Sequence, residues 1–258
     1  MCSWSNECIR FLDTLRASGN TIDCVLIADG LDPDFAGYLS GKYHVQFDLV
    51  TLEKDFWTKE PYGFGIWPYF KKWFDKEPET RWIKCDVKDV VVQGLIPELN
   101  ITPYKVVVQT ELKKISQCSW NTGWMGKDPW KDVNIVSAGC MAGLGFTLSI
   151  LAEEIIRNPH NATADQGAYM HFIQDYYSWV WHDAPYLWTA CQDNFGDHRL
   201  SGQIYNKVGL NTPIMHFCGG SKNILNKIYP LDNTFRYAQQ VAKLSNWAQK
   251  VKRQLNYP

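Results

Sequence analysis

The chain has 258 residues, enough to bury a full core in one large domain, and it balances 26 basic against 27 acidic residues with no long run of either sign. That balance excludes nucleic acid and polyanionic surfaces as dedicated partners. No apolar stretch reaches the roughly 18 residues of a transmembrane helix, and the segment Met1–Glu7 lacks the basic and apolar regions of a signal peptide.

In chain order, Ile9, Phe11, Leu12 and Leu15 place apolar residues on one face of a helix over Asn6–Ser18 that ends at Gly19. The β-branched run Thr21–Ala28 predicts a buried strand, and the alternation in Tyr43–Val50 predicts another, with a short helix over Asp34–Ser40 between them. Phe70, Trp73 and Phe74 share a helical face within Tyr69–Phe74. Strands follow at Thr80–Cys85, Val90–Gln93, Tyr104–Thr110 and Val133–Ser137. Phe146–Arg157 is an amphipathic helix through Leu148, Leu151 and Ile155, and Ala164–Tyr177 is a second. Short strand-like runs occur at Tyr186–Cys191, Gln203–Asn206 and Pro213–Cys218, ahead of a long helix over Asn233–Leu255. Alternating helices and strands in the first half imply an α/β fold, a mostly parallel central sheet flanked by helices. The second half is more mixed. There are no repeats, low-complexity tracts or linkers, so residues 1–258 read as one domain.

The eight cysteines contain no C-x-x-C pair, which excludes a zinc ribbon or a thioredoxin-like motif. Cys24, Cys85 and Cys218 lie in apolar runs, where a free thiol behaves as a small hydrophobe. This pattern favours a reducing, cytoplasmic compartment. The sequons at Asn100 and Asn161 point instead to a Golgi or secretory lumen, which requires a targeting segment outside this sequence. The 12 Trp supply flat apolar faces that can stack on sugars, above all in Trp120–Trp130 and Trp179–Trp188, or can simply fill a core.

Chemistry concentrates at strand ends, where ligands bind in such sheets. Asp86 and Asp89 stand where the strand Thr80–Cys85 runs out, and two carboxylates so spaced can grip one hard divalent cation that holds a diphosphate. His216, in the third late strand run, can add an imidazole nitrogen. Gly219 and Gly220 allow close backbone approach, and Lys222 can reach a phosphate as a point charge. Ser137-Ala138-Gly139 begins a small-residue loop against which a bulky ligand can pack, and Asp165-Gln166-Gly167 opens a helix. A literal D-x-D, Asp32-Pro33-Asp34, reads as a turn into a helix with Asp34 as its N-cap.

The order of these segments resembles the glycosyltransferases of GT-A fold. The pattern is a strand with D-x-x-D and V-V-x-Q, then a small-residue loop, then D-Q-G, then H-F-x-G-x-x-K. It is similar to the glycogenin-like retaining enzymes and to the glycosyltransferase domain of collagen lysyl hydroxylases, and it covers residues 80 to 222. The resemblance implies a GT-A-like (Rossmann-like) domain that transfers a sugar from a nucleotide-sugar donor, uridine-linked, to a glycan or glycoprotein acceptor with retention of configuration. It implies that Asp86, Asp89 and His216 coordinate Mn²⁺ or Mg²⁺. Lys222 and Gly219 would contact the diphosphate, with Gly220, Ser137, Ala138, Gly139 and Lys88 completing the donor site. Asp165 and Gln166 would lie beside the reacting sugar. The sequence departs from the family in having Arg81 and Lys84 in the strand before Asp86, and Ser137 where Asn is usual. A catalytically degenerate carbohydrate-binding protein of the same fold is the alternative. A two-metal phosphohydrolase is disfavoured by the lack of clustered His and Asp. Oligomeric state is not legible.

Overall fold

The computed structural model describes residues 2–3, 6–52, 63–125, 132–157, 165–175, 180–182, 189–191, 195–198, 204–206, 212–217, 225–226 and 228–229. The architecture is mixed α/β. Strands β1 (Cys2–Ser3), β2 (Val25–Asp29) and β3 (Gln46–Val50) form a parallel sheet in that order. A second sheet runs β4 (Arg81–Cys85), β7 (Asn134–Leu144), β6 (Val106–Lys114) and β8 (Val180–His182). A third joins β5 (Val90–Val92), β12 (Ile214–His216) and β9 (Thr189–Cys191), and β10 (Phe195–His198) pairs with β11 (Ile204–Asn206).

The expectation of a mostly parallel sheet therefore holds only for β1–β3. In the four-stranded sheet β7 runs antiparallel to both β4 and β6, and only β6–β8 is parallel. The physical reason is the connection between β6 and β7. A 3₁₀ turn (Ile115–Gln117) and the seven-residue helix α4 (Ser119–Met125) occupy its described part, and the chain returns beside the strand it left.

Helix α1 (Asn6–Ala17) buries Cys8, Ile9, Phe11, Leu12 and Leu15, as the apolar spacing requires. Helix α2 (Pro33–Tyr43) starts one residue earlier than expected, and its N-cap is Asp32 rather than Asp34. The Asp32 side chain accepts from the backbone N–H of Asp34 and Phe35, while Pro33 occupies the first turn, where no N–H is needed. That capping role accounts for the Asp32-Pro33-Asp34 triplet. Helices α3 (Trp67–Lys76), α5 (Gly145–Arg157) and α6 (Asp165–Asp175) pack on one face of the four-stranded sheet.

Two apolar cores lie on opposite faces of that sheet. Val107, Cys140 and Ala142 point into the core built by α1, α2, β5 and β12. Val106, Val108, Val136 and Met141 point into the core with Trp67, Leu148, Leu151, Tyr169 and Phe172. Full burial of each such large side chain contributes about 1.5–3 kcal/mol. Burial on both faces explains why Ser137–Gly143, read from sequence as a loop, is the interior of β7. Each residue from Ile135 to Gly143 is buried, and tertiary packing overrides the poor strand propensity of Ala and Gly. The predicted strands Thr21–Ala28 and Tyr43–Val50 shorten at their N-terminal ends, and Tyr104–Thr110 shifts onto β6. The predicted helix Asn233–Leu255 lies outside the described residues. So do residues 126–130 and most of residues 179–188 in the two Trp-rich segments.

Cys24 and Cys85 are free thiols packed against the first core, where burial pushes their pKa values up to about 11 and about 12. They are inert hydrophobes, as the sequence suggested. Cys8 is disulfide-bonded. Among the described residues no helix is long and apolar enough to cross a membrane.

Candidate metal centre

Strand β4 ends at Cys85, and Asp86 follows with its backbone N–H donating to the Gly139 carbonyl of β7 at 2.8 Å. Residues 87–89 turn the chain into β5, which pairs antiparallel with β12 so that Val90 lies opposite His216. The Phe217 N–H then donates to the Asp89 carbonyl at 2.7 Å. This ladder sets His216 beside Asp89, with Nε2 3.6 Å from Asp89 Oδ1. One ligand atom each from Asp86, Asp89 and His216 lie within 4.8 Å of one another. Two carboxylates and one imidazole on a common centre suit a Mn²⁺-like ion, with positions left over for ligand oxygens.

The imidazole is oriented from behind. His216 is 4 % exposed, and its Nδ1 lies 3.1 Å from Gln109 Oε1 and 3.4 Å from Ser137 Oγ. Gln109 and Ser137 hold the ring by its Nδ1 edge and leave Nε2 toward the carboxylates. Ser137 Oγ in turn accepts from the Gly139 N–H at 3.1 Å. Gly139 has no side chain because the imidazole occupies that space. A Cβ there would overlap Cε1 and stand 2.5 Å from Nδ1 and 2.8 Å from Nε2.

A bulge makes this approach possible. Val108 pairs with Met141 but Gln109 pairs with Ser137, so Ala138, Gly139 and Cys140 are extra residues on β7. The excursion reverses strand parity: Val136 and Ala138 face the same core as Met141. Ser137, Ala138 and Gly139 thus belong to the site, but they cradle the histidine, where the sequence suggested a bound ligand.

Lys84, one of the two polar residues of β4, is the next layer. Its side chain is 4 % exposed, with Nζ 2.9 Å from Asp86 Oδ1 and donating to the Ala138 carbonyl at 2.6 Å. The ammonium also lies 5.9 Å from the Trp67 ring centre and 5.5 Å from that of Phe70. Asp86 sits in a desolvating recess yet keeps 45 % of its side chain exposed. Burial works to raise its pKa, but the Lys84 ammonium, through its charge and its hydrogen bond, leads the opposing effects that hold it below the usual carboxylate range.

Asp165 opens α6 and accepts from the Trp67 indole N–H at 3.2 Å. Gly63, at φ +83, closes over it, and a Cβ there would stand 2.9 Å from the Asp165 carboxyl carbon. Burial raises the Asp165 pKa and the Asp86 charge adds to that, against the opposing pull of Lys84, the Trp67 indole and the Gln166 backbone N–H. Lys84 is the electrostatic link between the two carboxylates. Gln166 is turned to Asn121, with Nε2 donating to Oδ1 at 3.3 Å.

The structure brings together Asp86, Asp89, His216, Ser137, Ala138 and Gly139, and ties Asp165 to them through Lys84. Lys88 is exposed between the two carboxylates. Gly219, Gly220 and Lys222 lie outside the described residues. Gln109, Lys84, Trp67 and Gly63 were missed. Lys84 and Gln109 carried a signal, since each interrupts an apolar strand where a polar side chain needs a buried partner. A cavity of about 410 Å³ opens between β2 and β4, and its lining includes Lys84 but none of Asp86, Asp89 or His216. No protein-family model matches the chain, and no curated protein matches it.

Proposed function

We propose that this protein is a metal-dependent glycosyltransferase that moves a sugar from a uridine-linked nucleotide donor to a glycan or protein acceptor, with retention. The observation that carries the reading is the convergence of Asp86, Asp89 and His216, from distant segments of the chain, on one point. The orientation of the ring adds support, because Gln109 and Ser137 sit where supporting partners of a ligating histidine belong. A bound Mn²⁺ or Mg²⁺ supplies charge stabilisation for the departing nucleoside diphosphate.

The chain's own residues then divide the work. Asp86 and Asp89 fix the ion, His216 completes the protein side of its coordination, and the Gly219–Lys222 segment holds the diphosphate. Asp165 and Gln166 flank the sugar, where a carboxylate favours positive charge on the anomeric carbon. Neither is assigned as a covalent nucleophile.

Mn²⁺ with UDP at about 100 times its Kd should add about 2.7 kcal/mol of stability and raise Tm by about 5–10 °C. Asp89→Ala should remove that shift. No shift with any nucleoside diphosphate sinks the proposal. Glycan binding that persists in EDTA, without a nucleotide shift, replaces it with a carbohydrate-binding role.

A further inference from the structure

The two carboxylates of the cluster bring two negative charges, and one of them already has a cation. Lys84 Nζ sits 2.9 Å from Asp86 Oδ1 and cannot swing away. It is 4 % exposed, tied to the Ala138 carbonyl at 2.6 Å, and walled by the rings of Trp67 and Phe70. A divalent ion arriving at Asp86 therefore meets a carboxylate with one oxygen engaged and much of its charge offset. It also meets the repulsion of a fixed ammonium a few ångströms away, which a desolvated site screens poorly. Asp165 is coupled to the same ammonium, and burial pushes its pKa up.

Three protein ligands leave about half of a six-coordinate ion unfilled. A diphosphate supplies both what is missing in coordination and what is missing in negative charge. We propose that Lys84 is a built-in counter-cation that makes divalent-metal binding at Asp86, Asp89 and His216 conditional on the diphosphate of the donor. The inference rests on the glycosyltransferase reading and deepens it. The metal enters with the nucleotide and leaves once the nucleotide is gone, and Lys84 is a positioning residue that acts through Asp86.

The test is titration of Mn²⁺ into the full chain, with and without UDP, for the wild type, Lys84→Gln and Lys84→Arg, by calorimetry and by the loss of the free-Mn²⁺ resonance. Gln keeps a donor for Asp86 and the Ala138 carbonyl but removes the charge; Arg keeps the charge. The wild type should bind Mn²⁺ at least about tenfold more tightly with UDP than without it. Lys84→Gln should bind Mn²⁺ alone about tenfold more tightly than the wild type and lose most of the gain from UDP. Lys84→Arg should retain the wild-type pattern, which a merely structural role for the side chain does not require.

A folded Lys84→Gln variant with unchanged or weaker affinity for Mn²⁺ alone overturns the proposal. If that variant does not fold, the wild type still decides: equal Mn²⁺ affinity with and without UDP also overturns it. A wild type that binds neither Mn²⁺ nor its UDP complex refutes the glycosyltransferase reading itself, and the role of Lys84 with it. One that binds both, with Lys84→Gln unchanged, refutes Lys84 alone.

Discussion

Gly139→Ala adds a single methyl group at the point where the two halves of the candidate metal cluster meet. The Gly139 carbonyl accepts from the Asp86 N–H at 2.8 Å, and its own N–H donates to Ser137 Oγ at 3.1 Å, so its backbone cannot retreat without loosening both. The new Cβ would stand 2.5 Å from Nδ1 and 2.8 Å from Nε2 of His216. Non-bonded carbon needs about 3.5 Å, so the ring must move by about 1 Å. Metal–ligand distances tolerate about 0.2 Å, and a displacement of that size removes His216 from the coordination sphere.

Overpacking of this kind costs about 1–3 kcal/mol, to be read from the urea midpoint at constant slope. Mn²⁺ affinity in the presence of UDP should fall at least about tenfold. Gly143→Ala is the matched control. Its Cβ would meet Leu148 Cδ2 at 2.9 Å, crowding an apolar side chain away from the cluster. It should lose stability and keep Mn²⁺ binding. Wild-type Mn²⁺ affinity in Gly139→Ala refutes the reasoning; so does an equal loss in Gly143→Ala, which would make the effect one of general packing.

Three further outcomes follow from the same contacts. Gln109→Leu removes the acceptor 3.1 Å from His216 Nδ1 and should weaken Mn²⁺ binding about 10–100-fold by titration, with Gln109→Glu retaining most of it. Asp165 has a raised folded pKa, so its contribution to stability is fully present below the unfolded carboxylate value of about 3.9 and is lost as pH rises through the folded value. Asp165→Asn does not ionise and should gain on the wild type across that window. A difference in urea midpoint that stays constant from about pH 3 to 8 contradicts this. The buried Tyr169 hydroxyl has no hydrogen-bond partner among the described residues, and Tyr169→Phe should stabilise the protein by about 1 kcal/mol in the same denaturation assay.

Asp86 and Asp89 were legible because two carboxylates placed just after a five-residue strand are an exception that local structure does not demand. His216 was legible as a histidine within an apolar run. What placed them together was not legible, because the pairing of Val90 with His216 is a register between distant segments that neither sequence encodes alone. The small residues 137–143 misled for a related reason. Ala and Gly argue against a strand locally, whereas burial on both faces and the room needed by an imidazole demand them there. The sheet direction misled because alternating elements suggest crossovers, and nothing local in Ser119–Met125 says that the chain turns back.

Lys84 is the most instructive residue. In the sequence it counted against the family resemblance, as a charge in a strand expected to be apolar. In the fold that charge is nearly sealed from water, between the Asp86 carboxylate and two aromatic rings. Burying an ammonium costs several kcal/mol unless it is paired and hydrogen-bonded. For packing alone a leucine or methionine would fill the same volume at lower cost. The fold keeps the ammonium, and it keeps it against Asp86. What Lys84 does is therefore electrostatic, and the place to look for it is the charge balance of the candidate metal site.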